Sequence, residues 1–149
     1  MVPMSLLARL YARRIVNVNV NIIAAGALAL IPLTLTVHVA TQYLGLTSKL
    51  GIAILSFVAD LVYDVVIYYA LHWLANRSRT PSFFRDASLV QFERALLSPI
   101  LYAVAIGLQQ VLLDEGHAPA SATAIGFAAG IAISRVLHTS WMLWKGRTD

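Results

Sequence analysis

Ser56–Trp73 reads SFVADLVYDVVIYYALHW, an apolar run broken by Asp60 and Asp64 and continued in the same register by Tyr68 and His72. Steps of four residues place these side chains on one face of a helix. The apolar run extends from about Leu50 to Leu74, which matches the roughly 20 residues a bilayer-spanning helix needs. Ionisable groups are costly at membrane depth, so they turn toward a bundle interior, a partner or a water-filled cavity, and they mark a candidate functional face. Asp60 lies ten residues from Leu50, roughly 15 Å along a helix, and so falls near the bilayer centre. His72 and Trp73 then reach the inner interface.

Three further apolar segments surround this one, at about Ile15–Thr41, Ala95–Leu113 and Ala120–Leu143. The chain has 149 residues, 59% of them hydrophobic and 12% charged, against about 25% charged in soluble domains. Mean hydropathy is +0.74. The expected fold is all-α: a polytopic membrane protein built as a bundle of four transmembrane helices in two hairpins, one domain over residues 1–149. Met1–Arg14 sets Leu6, Leu7 and Leu10 against Arg9 and Arg13, the pattern of a short amphipathic segment in the headgroup layer. No cleavable signal sequence is read there.

The net charge of +4 serves topology rather than nucleic acid. Arg9, Arg13 and Arg14 precede the first segment, Arg77, Arg79, Arg85 and Arg94 fill the middle connection from Ala75 to Arg94, and Lys145 and Arg147 close the chain. The other two connections carry Lys49, and Asp114 with Glu115. The positive-inside rule puts both termini and the middle connection in the cytoplasm. Phe83 and Phe84 beside basic residues suit a segment docked on anionic headgroups. Cysteine is absent, which excludes disulfides and thiolate chemistry.

The first segment opens with Asn17, Asn19 and Asn21 and carries Pro32, with Thr34 and Thr36 placed to satisfy carbonyls the proline frees. The third carries Pro99 and Tyr102, then Gln109 and Gln110 in its outer half. The fourth reads Ala122, Gly126, Gly130, Ser134 and His138 at spacing four, a face small enough for another helix to approach closely. A shift of 70 residues lays Ser56, Asp60, Asp64 and Tyr68 on Gly126, Gly130, Ser134 and His138, as in two hairpins related by a pseudo-twofold axis along the membrane normal.

Counting depth from the cytoplasmic ends places Asp64, Arg135, Asn21 and Tyr102 at similar levels. Pairing removes much of the penalty of burying charge, so Asp64 is expected to contact Arg135 within one polar layer, with Tyr68 continuing the stripe. Asp60 has no cation at its own level and is either protonated or met by water or a cation. A role limited to fixing helix register is as good a reading of the Asp64–Arg135 pair as a functional one. His38, His72 and His138 read as interfacial or packing residues. The rise from Asp60 to His72, roughly 18 Å, prevents one metal ion from joining them, and no cofactor is implied; a haem held by His72 and His138 is the one arrangement the spacing leaves open. No motif for nucleophilic or phosphate-loop catalysis occurs, so an enzyme is the less favoured class.

The second half, a helix over Phe92–Leu113, the turn GHAPAS and then ATAIGFAAGIAISRVLHTSWMLWKGR, ending in Trp and basic residues, resembles the GtrA-like family of small four-helix membrane proteins. The resemblance covers about the last 60 residues. It implies movement of a polyprenyl-phosphate-linked sugar across the bacterial inner membrane, or support of the glycosyltransferase that makes or uses it. Asp60, Asp64, Arg135, Asn21, Tyr68 and Tyr102 are then the candidate substrate or ion-binding residues, and Gly126, Gly130 and Ser134 the packing residues. Membrane lipids, a second copy of the chain or a larger membrane protein are the expected partners, and nucleic acid is not. The competing reading is a non-catalytic accessory subunit that docks on a larger membrane complex through the Gly126–Gly130 face.

Overall fold

The computed structural model describes the backbone of residues 14–76 and 83–144, and side chains over 20–74 and most of 92–144. The amphipathic stretch before Arg14 and the basic residues 77, 79, 145 and 147 fall outside the described residues, as do the side chains of Asn17 and Asn19. Four helices follow one another: α1 Arg14–Gln42, α2 Lys49–Asn76, α3 Phe83–Asp114 and α4 Pro119–Trp144. No strand occurs among the described residues.

Three of these helices contain stretches long and apolar enough to cross a membrane, Val20–Gln42, Lys49–Leu74 and Pro119–Trp141, and α3 contributes a shorter apolar stretch, Ser98–Asp114. Large apolar side chains such as Ile31, Leu35, Val62, Val66, Leu96 and Val136 point outward. In water this surface would be a liability; against lipid tails it is the solvated face.

The helices form a ring in chain order. Among the described residues, α3 packs most extensively on α4 and α1 on α2, α1 also closes on α4, and the α2–α3 seam is the loosest of the four. Short connections make each chain neighbour antiparallel, so α2 and α4 run the same way on opposite corners. One apolar core cluster gathers Leu33, Val37, Ile52, Ala59, Ala105 and Phe127 from all four helices. A second groups Ile22, Ala25 and Tyr68.

Both hairpin turns use a glycine with positive φ, Gly45 at 70° and Gly116 at 85°, a conformation that costs glycine little and other residues more. At the end of α3 the Gly116 amide donates to the Leu113 carbonyl and the His117 amide to that of Leu112, the paired bonds of a Schellman stop. Lys49 at the start of α2 pairs with Asp114 at the end of α3, which links the two turns at that end of the bundle.

Three expectations are corrected here. The middle connection does not extend to Arg94: α3 begins at Phe83, so Phe83, Phe84, Arg85 and Arg94 belong to a helix. α1 continues unbroken through Pro32, and the nearby threonines do not serve the carbonyl of Leu28, whose amide donor the proline removes. Thr34 donates to the carbonyls of Leu30 and Ile31, and Thr36 to that of Pro32; each hydroxyl bonds the turn behind its own residue, the ordinary habit of threonine in a helix. Thr36 also meets the Tyr63 hydroxyl at 3.0 Å, tying α1 to α2. Finally, the Gly126–Gly130 face is not open to a partner, because α3 occupies it. A Cβ at Gly126 would run into the carbonyl oxygen of Ala105, and one at Gly130 would lie 2.8 Å from that of Leu101.

Candidate functional site

The four-residue stripe of α2 faces the bundle interior. Ser56, Asp60, Tyr68 and His72 are buried and Asp64 is half-buried. Midway along it a cavity of about 240 Å³ opens, lined from every helix: Ile22 and Gly26 of α1, Asp60 and Asp64 of α2, Tyr102 and Ser98 of α3, Ser134 and Arg135 of α4. Leu61 and Val65 of α2 and Leu101 of α3 also border it. These flank the loose α2–α3 seam, where Leu61 is exposed to the lipid side.

The small residues that let the helices approach also leave the space. Gly26 and Ser134 carry little side-chain volume at the level where α2 presents two carboxylates. Arg135 is only 8% exposed and Asp60 4%, so both charges are withdrawn from lipid into the bundle. The Tyr102 hydroxyl donates to Asp60 Oδ2 at 3.1 Å. Its ring is fixed edge-on between Phe57, at 4.6 Å between centroids, and Phe127, at 6.2 Å. Ser134 donates to the carbonyl of Ile131 at 3.0 Å, within its own helix.

Of the six candidate binding residues, four therefore line one cavity: Asp60, Asp64, Tyr102 and Arg135. Asn21 and Tyr68 are buried but do not line it. Tyr68 belongs to the cluster with Ile22 and Ala25 and stacks on His72 with centroids 5.6 Å apart and an interplanar angle of 16°. His138 is also buried, whereas His38 and His117 are exposed at the opposite end. Among the described residues no three His, Asp or Glu side chains gather as a metal site.

A residue of greater structural weight than its sequence context suggests is Gln109. It is fully buried in α3, and its Nε2 donates to Ser56 Oγ of α2 at 2.9 Å and to Thr123 Oγ1 of α4 at 2.6 Å. Thr123 in turn donates to the Pro119 carbonyl. One amide thus joins three helices between the cavity and the hairpin turns. An amide inside an apolar span was the available signal; its partners become visible only once three helices are placed side by side.

No family model matches the chain, and no curated protein or solved structure matches it.

Proposed function

We propose that this chain is a small transport protein of the bacterial inner membrane whose cavity receives the headgroup of a polyprenyl-phosphate-linked sugar. The observation that supports this is one cavity, bordered by all four helices, that holds a guanidinium and two carboxylates deep in the bundle. Charge at such depth is expensive and calls for a use. Arg135 offers planar, multidentate recognition of a phosphate, while Asp60 and Asp64 accept hydrogen bonds from sugar hydroxyls. The volume of about 240 Å³ lies below the roughly 300–1,000 Å³ of drug-sized ligand sites. It suits a headgroup, with the polyprenyl tail passing through the α2–α3 seam into the bilayer.

In this reading all four helices cross the membrane, α3 through Ser98–Asp114, and both termini lie in the cytoplasm with the basic middle connection. The protein works as a homo-oligomer or beside a larger membrane partner. The accessory-subunit reading loses the docking face it named, since α3 fills it.

Native mass spectrometry of the gently extracted full chain tests the proposal. The expected result is a retained polyprenyl-phosphate lipid in the wild type that is lost in Arg135→Gln. Protein in a fixed ratio to a larger membrane protein, with no such lipid, would overturn it in favour of the accessory reading.

A further inference from the structure

The bundle is unlike itself on the two sides of the cavity. Toward the hairpin turns its axis is filled by Leu33, Val37, Ile52 and Phe127 and crossed by the Ser56–Gln109–Thr123 hydrogen bonds. Toward the Trp144 end the described interior sets titratable side chains beside the small Ile22–Ala25 cluster. Tyr68 lies one turn beyond Asp64 and His72 one turn further on α2, while His138 lies one turn beyond Ser134 on α4. All three are at least nine-tenths buried, and the Tyr68 and His72 rings are stacked. Leucine or phenylalanine would fill the same volume without the cost of placing imidazoles away from water.

We infer that Tyr68, His72 and His138 form a proton-binding relay that loads and unloads the carboxylates of the cavity from the Trp144 end of the bundle. Imidazole suits this role because it accepts a proton on one ring nitrogen and releases one from the other, and its unperturbed titration falls in the physiological range. The step is a proton transfer only: the proton leaves bulk water, rests on His72 or His138, and ends on a carboxylate of Asp64 or Asp60, with no change of oxidation state. Among the described side chains, the charged and titratable groups next to the relay along α2 and α4 are Asp64 and Tyr69 on α2 and Arg135 on α4. α1 offers the non-titrating Asn21, and the described side chains of α3 at this end, Phe92, Leu96 and Ser98, carry no charge. The apolar plug and the Gln109 clamp leave no comparable route on the other side among the described residues.

The inference rests on the cavity being a binding site, as proposed above, but its test reads protons alone. The full chain, labelled with ¹⁵N-histidine in lipid nanodiscs, is titrated from about pH 5 to pH 9 and the imidazole signals followed. The four histidines include two internal references, His38 and His117, at the opposite end. In the wild type His72 and His138 are expected to titrate, and Asp64→Asn to shift the His72 midpoint by about half a pH unit or more, roughly threefold in proton affinity, leaving His117 in place. Tyr68→Phe keeps the ring stack and is expected to alter the exchange of the His72 ring protons, so the test survives if Asp64→Asn folds poorly. A His72 signal that does not titrate, or one indifferent to both substitutions, would overturn the relay. Retention of the lipid headgroup could still hold in that case, and its loss in mass spectrometry would leave the imidazole result untouched.

Discussion

The glycines of this bundle allow one substitution to be made at three helical sites that differ in burial and in what a methyl group would meet. At Gly126 an added Cβ collides with the backbone carbonyl of Ala105 and comes within 3.1 Å of the Gln109 amide nitrogen. No side-chain rotation relieves a clash with backbone, so α4 must move away from α3. At Gly26 the neighbour is the Cδ1 of Ile131 at 3.1 Å, the flexible tip of a side chain, and at Gly107 nothing lies within 4 Å. Replacing glycine by alanine in a helix gains about 1 kcal/mol from backbone propensity, a contribution common to all three sites. Overpacking costs about 1–3 kcal/mol, at the upper end where backbone is the obstacle. Gly107→Ala should therefore stabilise by up to about 1 kcal/mol. Gly126→Ala should fall about 2–3 kcal/mol below it, with Gly26→Ala between the two. SDS-driven unfolding from mixed micelles, followed by tryptophan fluorescence, gives the order directly. If Gly126→Ala and Gly107→Ala agree within about 0.5 kcal/mol, inside the scatter of independent sites, α4 does not pack on α3 through this face. The Gly126–Gly130 surface would then be free for a partner after all.

Gln109→Leu removes two interhelical hydrogen bonds, worth about 0.6 kcal/mol each in a membrane protein. It also removes a buried amide oxygen that has no hydrogen-bond partner among the described residues; the same unfolding assay should show a loss of about 1 kcal/mol or less. Tyr102→Phe keeps the ring contacts with Phe57 and Phe127 but deletes the donor to Asp60. It should cost about 1 kcal/mol of stability and weaken headgroup retention in native mass spectra. Lys49→Ala breaks an exposed ion pair with Asp114 and should change stability by less than about 1 kcal/mol, a difference that shrinks further in high salt.

The helices were legible because lipid imposes a simple length rule. The ends of α2 and α4 fall within two residues of the apolar segments read from sequence. The rule fails at the start of α3, where RDASLVQFER is helical but not apolar; hydropathy reports the bilayer, not the helix, and polar turns at its edge are invisible to it. The inward stripe of α2 was legible from spacing alone, since Asp60 cannot face lipid cheaply. Which other residues share a cavity with it was less so. Depth counting brought Tyr102 and Arg135 to the right level but also brought Asn21, and the four-residue stripe added Tyr68; both are buried, yet neither lines the cavity. Depth is one coordinate, and a cavity needs the rotation of each helix as well. That rotation is set here by contacts such as Gly26 against Ile131 and Gly126 against Ala105, which no single segment reveals.

The charge content of the cavity gives the functional reading its most exacting test. Among the described residues, Asp60 and Asp64 face a space bordered by one guanidinium, that of Arg135, so with these three groups ionised their summed charge is negative. A phosphate headgroup would then be attracted by Arg135 and repelled by both carboxylates. At about 7 Å and an effective dielectric near 20, one carboxylate opposes one phosphate charge by about 2 kcal/mol, roughly 30-fold in affinity. If the ligand is anionic, Asp64→Asn should tighten retention of the polyprenyl-phosphate lipid by an amount of this order, measured against the wild type by competition in native mass spectrometry. A cationic ligand requires the opposite sign, and loss of the phosphate lipid in Asp64→Asn would show that repulsion by Asp64 does not limit retention.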